Sequence, residues 1–63
     1  MKDLEEFYNA HYKGLYAYCV TLTRNRADAE DLAAETMYRA IRHADKFRGD
    51  CKVGTWLCSI ARN

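Results

Sequence analysis

A chain of 63 residues has room for one small domain, and folding at that length buries roughly 60% of the surface that the unfolded chain exposes. Its composition is 49% hydrophobic and 13% aromatic without proline, which excludes the polar make-up of a disordered segment. The formal net charge is only +1, but residues 46 to 63 hold four cations against one carboxylate, so a nucleic-acid surface is expected near the C-terminus.

The sequence predicts a reduced protein of the cytoplasm. No apolar run approaches the ~20 residues that span a membrane, and no charged-then-apolar leader opens the chain. Cys19, Cys51 and Cys58 form no C-x-x-C pair, and an odd number of cysteines is a poor disulfide framework. We therefore expect no membrane insertion and no disulfide.

The first predicted helix begins close to the N-terminus. Asp3 is followed three residues later by Glu6, which is close to a capping box. Apolar side chains then recur at steps of three and four residues, the spacing of an amphipathic helix. These positions are Leu4, Phe7, Leu15, Tyr18, Cys19 and Leu22.

A second helix is predicted from about residue 27 to residue 44, with Asn25 and Asp28 suited to cap its start. Its apolar spacing predicts a buried face made of Ala29, Leu32, Ala33, Thr36, Met37, Ala40 and Ile41.

The exposed side of this helix carries a charged stripe with spacings of three or four residues. The stripe consists of Asp28, Asp31, Glu35, Arg39 and Arg42. Its acids come first and its arginines last, which complements the helix dipole. The stripe is therefore either a solvated face that stabilises the helix or a face that binds a partner.

The segment "FRGD" ends the second helix, because Gly49 permits backbone angles that other residues resist. A third helix is predicted to start near residues 53 to 55 and to bury Trp56, Leu57, Ile60 and Ala61. Its other side carries hydroxyl, amide and cationic groups, which suit phosphates and base edges. These groups belong to Lys52, Thr55, Ser59, Arg62 and Asn63.

The turn between the last two helices places Phe47 among cations. Lys46 and Arg48 flank this ring, and Asp50 follows Gly49. Single strands bind where aromatic faces adjoin cationic grooves, so Phe47 either receives an unstacked base or packs into the core.

Without strand alternation or a hairpin turn, the fold class is all-α, a small three-helix bundle with or without a short extra turn. No C-cap glycine and no proline follow the third helix, which predicts that this helix is truncated and that residues 1 to 63 are a fragment of a longer protein. A cut at that point predicts exposed apolar surface and self-association.

The segments "AEDL..ET", "FRGD" and "TWL..IARN", in this order and at these separations, resemble region two of a bacterial sigma factor of the extracytoplasmic-function class. The resemblance implies that the second helix docks on the clamp helices of the RNA polymerase beta-prime subunit. That role would belong to the stripe from Asp28 to Arg42. The resemblance also implies an anti-sigma protein as a partner, and a second promoter-reading domain beyond the fragment.

The same resemblance implies contact with promoter DNA by the turn and the third helix, which in the family open the minus-ten element and hold its non-template single strand. The residues implied are Lys46, Phe47, Arg48, Asp50, Lys52, Thr55, Ser59, Arg62 and Asn63. We expect this set and the charged stripe to lie on separate sides of the molecule, so that polymerase and DNA can be bound at once.

Two other classes of function are compatible with the residues. One is a helical protein-interaction domain that binds an anti-sigma protein or a second copy of itself without binding DNA. The other is an enzyme or metal protein built on His11, His43 and the cysteines. Because these residues lack paired ligand spacing and form no nucleophile-and-base motif, we expect no metal, no cofactor and no catalysis.

Overall fold

Three helices and one short turn account for most of the chain. The computed structural model describes residues 2 to 63, and side chains from Leu4 onward. Helix α1 spans Lys2–Thr23, α2 spans Arg26–Arg42, a 3-10 turn spans Ala44–Lys46, and α3 spans Val53–Arg62. Residues 2 to 63 contain no strand. The predicted all-α class and three-helix bundle are confirmed, including the short extra turn.

The short junction between α1 and α2 is held by local hydrogen bonds, which satisfy backbone groups left unpaired at the two helix ends. The Thr23 hydroxyl donates to the Cys19 carbonyl at 3.0 Å, and Arg24, in the left-handed region with φ of 55°, donates its N–H to the Val20 carbonyl at 2.7 Å. The Asn25 side chain accepts from the Asp28 N–H at 2.9 Å. The predicted cap at Asn25 is confirmed, whereas the cap at Asp3 lies outside the described side chains.

Small side chains make up much of the buried face of α2. Ala29, Ala33 and Ala40 are at most 1% exposed, and all three helices contact one another. Larger side chains fill the space where the helices meet, and interiors of this kind are close-packed. The larger buried residues are Leu15, Cys19, Thr36, Met37 and Leu57.

Two apolar residues lie outside the core that the spacing predicted. Ile41 is 38% exposed, so its predicted burial is wrong, and Leu22, expected on the apolar face of α1, is 44% exposed. Each lies in the last turn of its helix, and Ile41 lines an open groove with residues of α1 and α3 instead of packing into the core. Leu32, Trp56 and Ile60 are partly buried and pack against the core from outside.

The segment from Phe47 to Lys52 is irregular and carries the chain from α2 to α3. Gly49 has φ of 80°, as the predicted break required. The second helix is shorter than predicted, because it ends at Arg42 and the next residues form the tighter 3-10 turn. None of the helices described is long and apolar enough to cross a membrane.

Candidate functional site

The charged stripe of α2 forms a continuous exposed ridge. All five of its side chains are exposed, with Asp28 in the first turn and Arg39 and Arg42 in the last. We call Asp28, Asp31, Glu35, Arg39 and Arg42 the α2 ridge. Its charge changes sign along the helix, from acidic at the start to basic at the end.

Contacts within the ridge are weak. Arg39 Nε donates to Glu35 Oε2 at 3.0 Å, and the two side chains are 51% and 54% exposed. Arg42 lies against Tyr38, with Cζ 5.5 Å from the ring centroid. An exposed pair of this kind contributes about 0.3 to 0.5 kcal/mol. Both arginines can therefore exchange these partners for others at little cost.

The residues predicted to contact DNA are mostly exposed. Ser59 differs, since it is partly buried and its hydroxyl donates to the Trp56 carbonyl at 2.6 Å. Its only hydrogen is used within α3, so it retains acceptor capacity alone. The exposed members are Lys46, Arg48, Asp50, Lys52, Thr55, Arg62 and Asn63.

Phe47 and Trp56 form an aromatic pair on the outside of the core. Their ring centroids are 5.0 Å apart and the rings are inclined by 47°, within the range of favourable aromatic contacts. Among the described side chains, Trp56 packs against the buried core and Phe47 does not. The Phe47 ring therefore covers Trp56 on the side away from the core.

A groove of about 280 Å³ runs along this aromatic pair. Lys46, Arg48 and Asp50 line it together with both rings. Cations beside aromatic faces are the combination that binds single-stranded nucleic acid. The structure thus brings together four of the nine residues of the predicted DNA set.

Three more of the nine line a different groove, between α1 and α3, which Phe47 also borders. Lys52, Thr55 and Arg62 line this space of about 930 Å³ together with His11 and Tyr18 of α1. The nine predicted residues therefore follow the turn and α3 around the molecule and do not share a single wall.

A third groove joins the α2 ridge to the predicted DNA set. Arg39 lines it beside Lys46 and Asn63, and its volume is about 280 Å³. The expectation that the two surfaces lie on separate sides is therefore wrong at this end of the molecule. The groove also includes His43 and Trp56, which the sequence did not assign to a binding surface.

The cysteines and histidines do not gather into a site. No three His, Cys, Asp or Glu side chains converge as metal ligands within the described part of the chain. Cys19 is fully buried, and burial, with a smaller contribution from Cys58, raises the pKa of its thiol. Cys51 is exposed in the turn.

The chain is similar to known proteins over nearly its whole length. It matches the family model for sigma-70 region 2 over residues 7 to 63. It is 32% identical over 61 residues to the RNA polymerase sigma factor YlaC of Bacillus subtilis (strain 168), covering 97% of this chain and 35% of that protein. It is 33% identical over 60 residues to the ECF RNA polymerase sigma factor SigM of the same organism, covering 95% of this chain and 36% of that protein.

A mycobacterial protein is similar as well. The ECF RNA polymerase sigma factor SigG of Mycobacterium tuberculosis (strain CDC 1551 / Oshkosh) is 36% identical over 61 residues, covering 97% of this chain and 16% of that protein. The chain therefore spans between 16% and 36% of the length of these three relatives. No solved structure matches it.

Proposed function

The chain belongs to the sigma-70 region 2 family, as region two of a sigma factor of the extracytoplasmic-function class, and from this membership we propose how it acts in transcription initiation. The α2 ridge binds the clamp helices of the RNA polymerase beta-prime subunit. The turn and α3 recognise and open the minus-ten promoter element and hold its non-template single strand. Neither role requires catalysis.

The exposure of the α2 ridge carries the polymerase part of the proposal. Five charged side chains lie exposed on one helix, yet their one ion pair adds only about 0.3 to 0.5 kcal/mol to stability. The ridge therefore has little structural value by itself. A partner with complementary charge would gain orientation and specificity from it.

The aromatic pair supports the DNA part. Opening duplex DNA costs about 1.4 kcal/mol of stacking per base step, and stacking a base on an aromatic ring returns ~1 to 3 kcal/mol. These terms nearly cancel, so the domain alone binds promoter DNA weakly. When the ridge is attached to polymerase, DNA binding becomes effectively intramolecular and the weak contacts suffice.

Reversal of the charge at Glu35 tests the polymerase contact. We expect Glu35→Arg to lower the affinity for a clamp-helix fragment more than tenfold, because the ridge then presents a cation where a carboxylate is required. Losing the pair with Arg39 costs only a few tenths of a kcal/mol, so the helical circular dichroism stays unchanged. Calorimetric titration measures the affinity.

The matched control is Glu6→Arg, which makes the same charge change at an exposed position of α1. It is expected to bind like the wild type. Equal losses in both variants would indicate a net-charge effect, and wild-type affinity of Glu35→Arg would remove the ridge from the polymerase contact.

An apolar groove favours a second candidate, a helical protein-interaction domain that binds an anti-sigma protein or another copy of the chain. Leu4 and Phe7 of α1 line this groove of about 330 Å³ with Ile41, Val53 and Trp56. Titration with minus-ten single strands at low salt separates the candidates. Absence of saturable binding, with and without the clamp-helix fragment, favours the second.

A further inference from the structure

We propose that Arg39, His43 and Lys46 form a subsite for the phosphate backbone of single-stranded DNA against Trp56, and that Glu35 competes with the DNA for Arg39. This inference rests on the proposed function and extends its DNA surface onto the end of α2. It moves Arg39 from the polymerase contact to the DNA contact.

The three basic residues form a row along successive turns. The His43 N–H donates to the Arg39 carbonyl at 3.0 Å, and the Lys46 N–H donates to the His43 carbonyl at 2.9 Å. The backbone therefore fixes their order and spacing. Neighbours one turn apart have Cβ atoms about 5 to 6 Å apart, so the row offers several donors along one line.

The opposite wall comes from α3 and differs in chemistry. Trp56 and Ile60 supply an apolar surface for a base or sugar, and Asn63 supplies an amide. The groove holds about 280 Å³, just below the range of roughly 300 to 1,000 Å³ typical of pockets for drug-sized ligands. A nucleotide lying across the groove would place its phosphate against the cations and its base or sugar against Trp56 and Ile60.

Basic residues near a helix C-terminus stabilise the helix by about 0.3 to 1 kcal/mol, and this effect alone accounts for part of the row. It does not account for a groove whose second wall is aromatic. The carbonyl ends of α2 and α3 contribute about half a negative charge each. Arg39 and Lys46 carry two full positive charges, which exceed these partial negative charges once Arg39 is released from Glu35.

The ion pair with Glu35 links this subsite to the acidic part of the α2 ridge. Arg39 is bound to Glu35 at 3.0 Å in the free chain. A polymerase contact that engages Glu35 releases Arg39 toward the groove. Polymerase binding and DNA binding are then positively coupled, because polymerase occupies Glu35 and leaves Arg39 free to contact the phosphate.

Titration of the 63-residue chain with a short oligothymidylate, at several salt concentrations and with the clamp-helix fragment bound, tests the subsite. Trp56 is the only tryptophan. It lines both this groove and the groove beside Phe47, so its fluorescence reports binding at either place and the variants separate the two. We expect Arg39→Gln and His43→Gln each to weaken binding severalfold. We expect the salt slope of Arg39→Gln to fall by about 0.7, the value for one phosphate contact on a single strand.

Arg26→Gln is the matched control, since it removes the same charge from the exposed start of α2. Glu35→Gln, measured without the clamp-helix fragment, is expected to bind the oligonucleotide more tightly than the wild type, because Arg39 is freed. A merely structural role for Arg39 would not produce that gain.

The outcomes separate this inference from the proposed function. If Lys46→Gln and Phe47→Ala weaken binding while Arg39→Gln and His43→Gln behave like Arg26→Gln, the subsite is overturned and the DNA function stands. Loss of clamp-helix affinity in Arg39→Gln with unchanged DNA binding also overturns it. If the wild type shows no saturable binding, both fail.

Discussion

Phe47 has a partly buried ring beside the cations of the turn. It covers Trp56 without packing against the buried core, and this aromatic contact contributes about 0.5 to 1.5 kcal/mol beyond the area that the ring removes from water. We expect Phe47→Ala to weaken single-strand binding more than duplex binding, since the lost ring stacks only on an unpaired base. Fluorescence titration with the two forms of the same DNA measures the difference.

Phe47→Tyr keeps the ring and is expected to bind single strands like the wild type. In a domain of this size, a loss of 1 kcal/mol lowers Tm by roughly 4 to 8 °C. A much larger drop for Phe47→Ala would show that Phe47 is a core residue, and equal weakening of single-strand and duplex binding would remove its role in stacking.

Single residues also show where the sequence was informative. Asn25 was predicted as a cap because a short polar side chain just before an amphipathic helical pattern commonly caps the helix. Its hydrogen bond with the Asp28 N–H confirms this. Ile41 was predicted as core on the same periodicity, and the structure exposes it. Periodicity indicates the side of a helix but not how far along that helix a neighbour covers it.

Helix α2 positions both the ridge and the subsite, and its start depends on one side-chain hydrogen bond. Asn25 Oδ1 accepts from the Asp28 N–H at 2.9 Å. Replacing an N-cap asparagine by alanine costs roughly 0.5 to 2 kcal/mol, so we expect Asn25→Ala to lower the free energy of unfolding by about 1 kcal/mol. Urea denaturation followed by circular dichroism measures the change.

Asn25→Asp retains a side-chain oxygen and is expected to stay close to the wild type. If Asn25→Ala and Asn25→Asp have the same urea midpoint, the cap does not stabilise α2.

At the end of α2 the sequence was less informative. The second helix was expected to end near residue 44, but it ends at Arg42, and residues 44 to 46 form a 3-10 turn. The two kinds of helix share local composition, and 3-10 turns are frequent at helix ends. The turn then leads into Phe47, whose backbone is extended, and the ring packs on Trp56. The contact between Phe47 and Trp56 joins the turn to the next helix, so the local sequence pattern did not predict it.

The molecule as a whole is expected to lose stability in alkali. Burial, and secondarily Cys58, raises the pKa of Cys19 above its ordinary value of 9.0, and burial also raises the pKa of Tyr12 above 10.0. Above the ordinary pKa of each group, the folded chain therefore keeps a proton that the unfolded chain has released. Stability from these groups is complete below pH 9 and falls as the pH rises through the folded-state pKa values.

Urea denaturation at a series of pH values above and below 9 measures this decline, with Cys19→Ala as the comparison. The variant is less stable near neutrality because it leaves a cavity, but its free energy of unfolding is expected to fall less steeply with pH. Parallel curves for the two proteins would show that Cys19 contributes nothing to the alkaline loss.

The relation between the two surfaces is a property of the whole molecule that the sequence could not supply. Helical spacing correctly grouped the α2 ridge and its exposed side chains. It placed that ridge apart from the DNA set, whereas Arg39 and Asn63 line one groove. Where the end of α2 meets the end of α3 depends on how both helices pack against α1.

The buried alanines of α2 determine how closely that helix packs against its neighbours. There is no room for larger side chains at Ala29, Ala33 and Ala40, since each is at most 1% exposed. One added methyl group there would push α2 away from its neighbours as a rigid element, at a cost of about 1 to 3 kcal/mol. The spacing between the α2 ridge and the proposed DNA-binding residues would then change, although no residue of either set is altered.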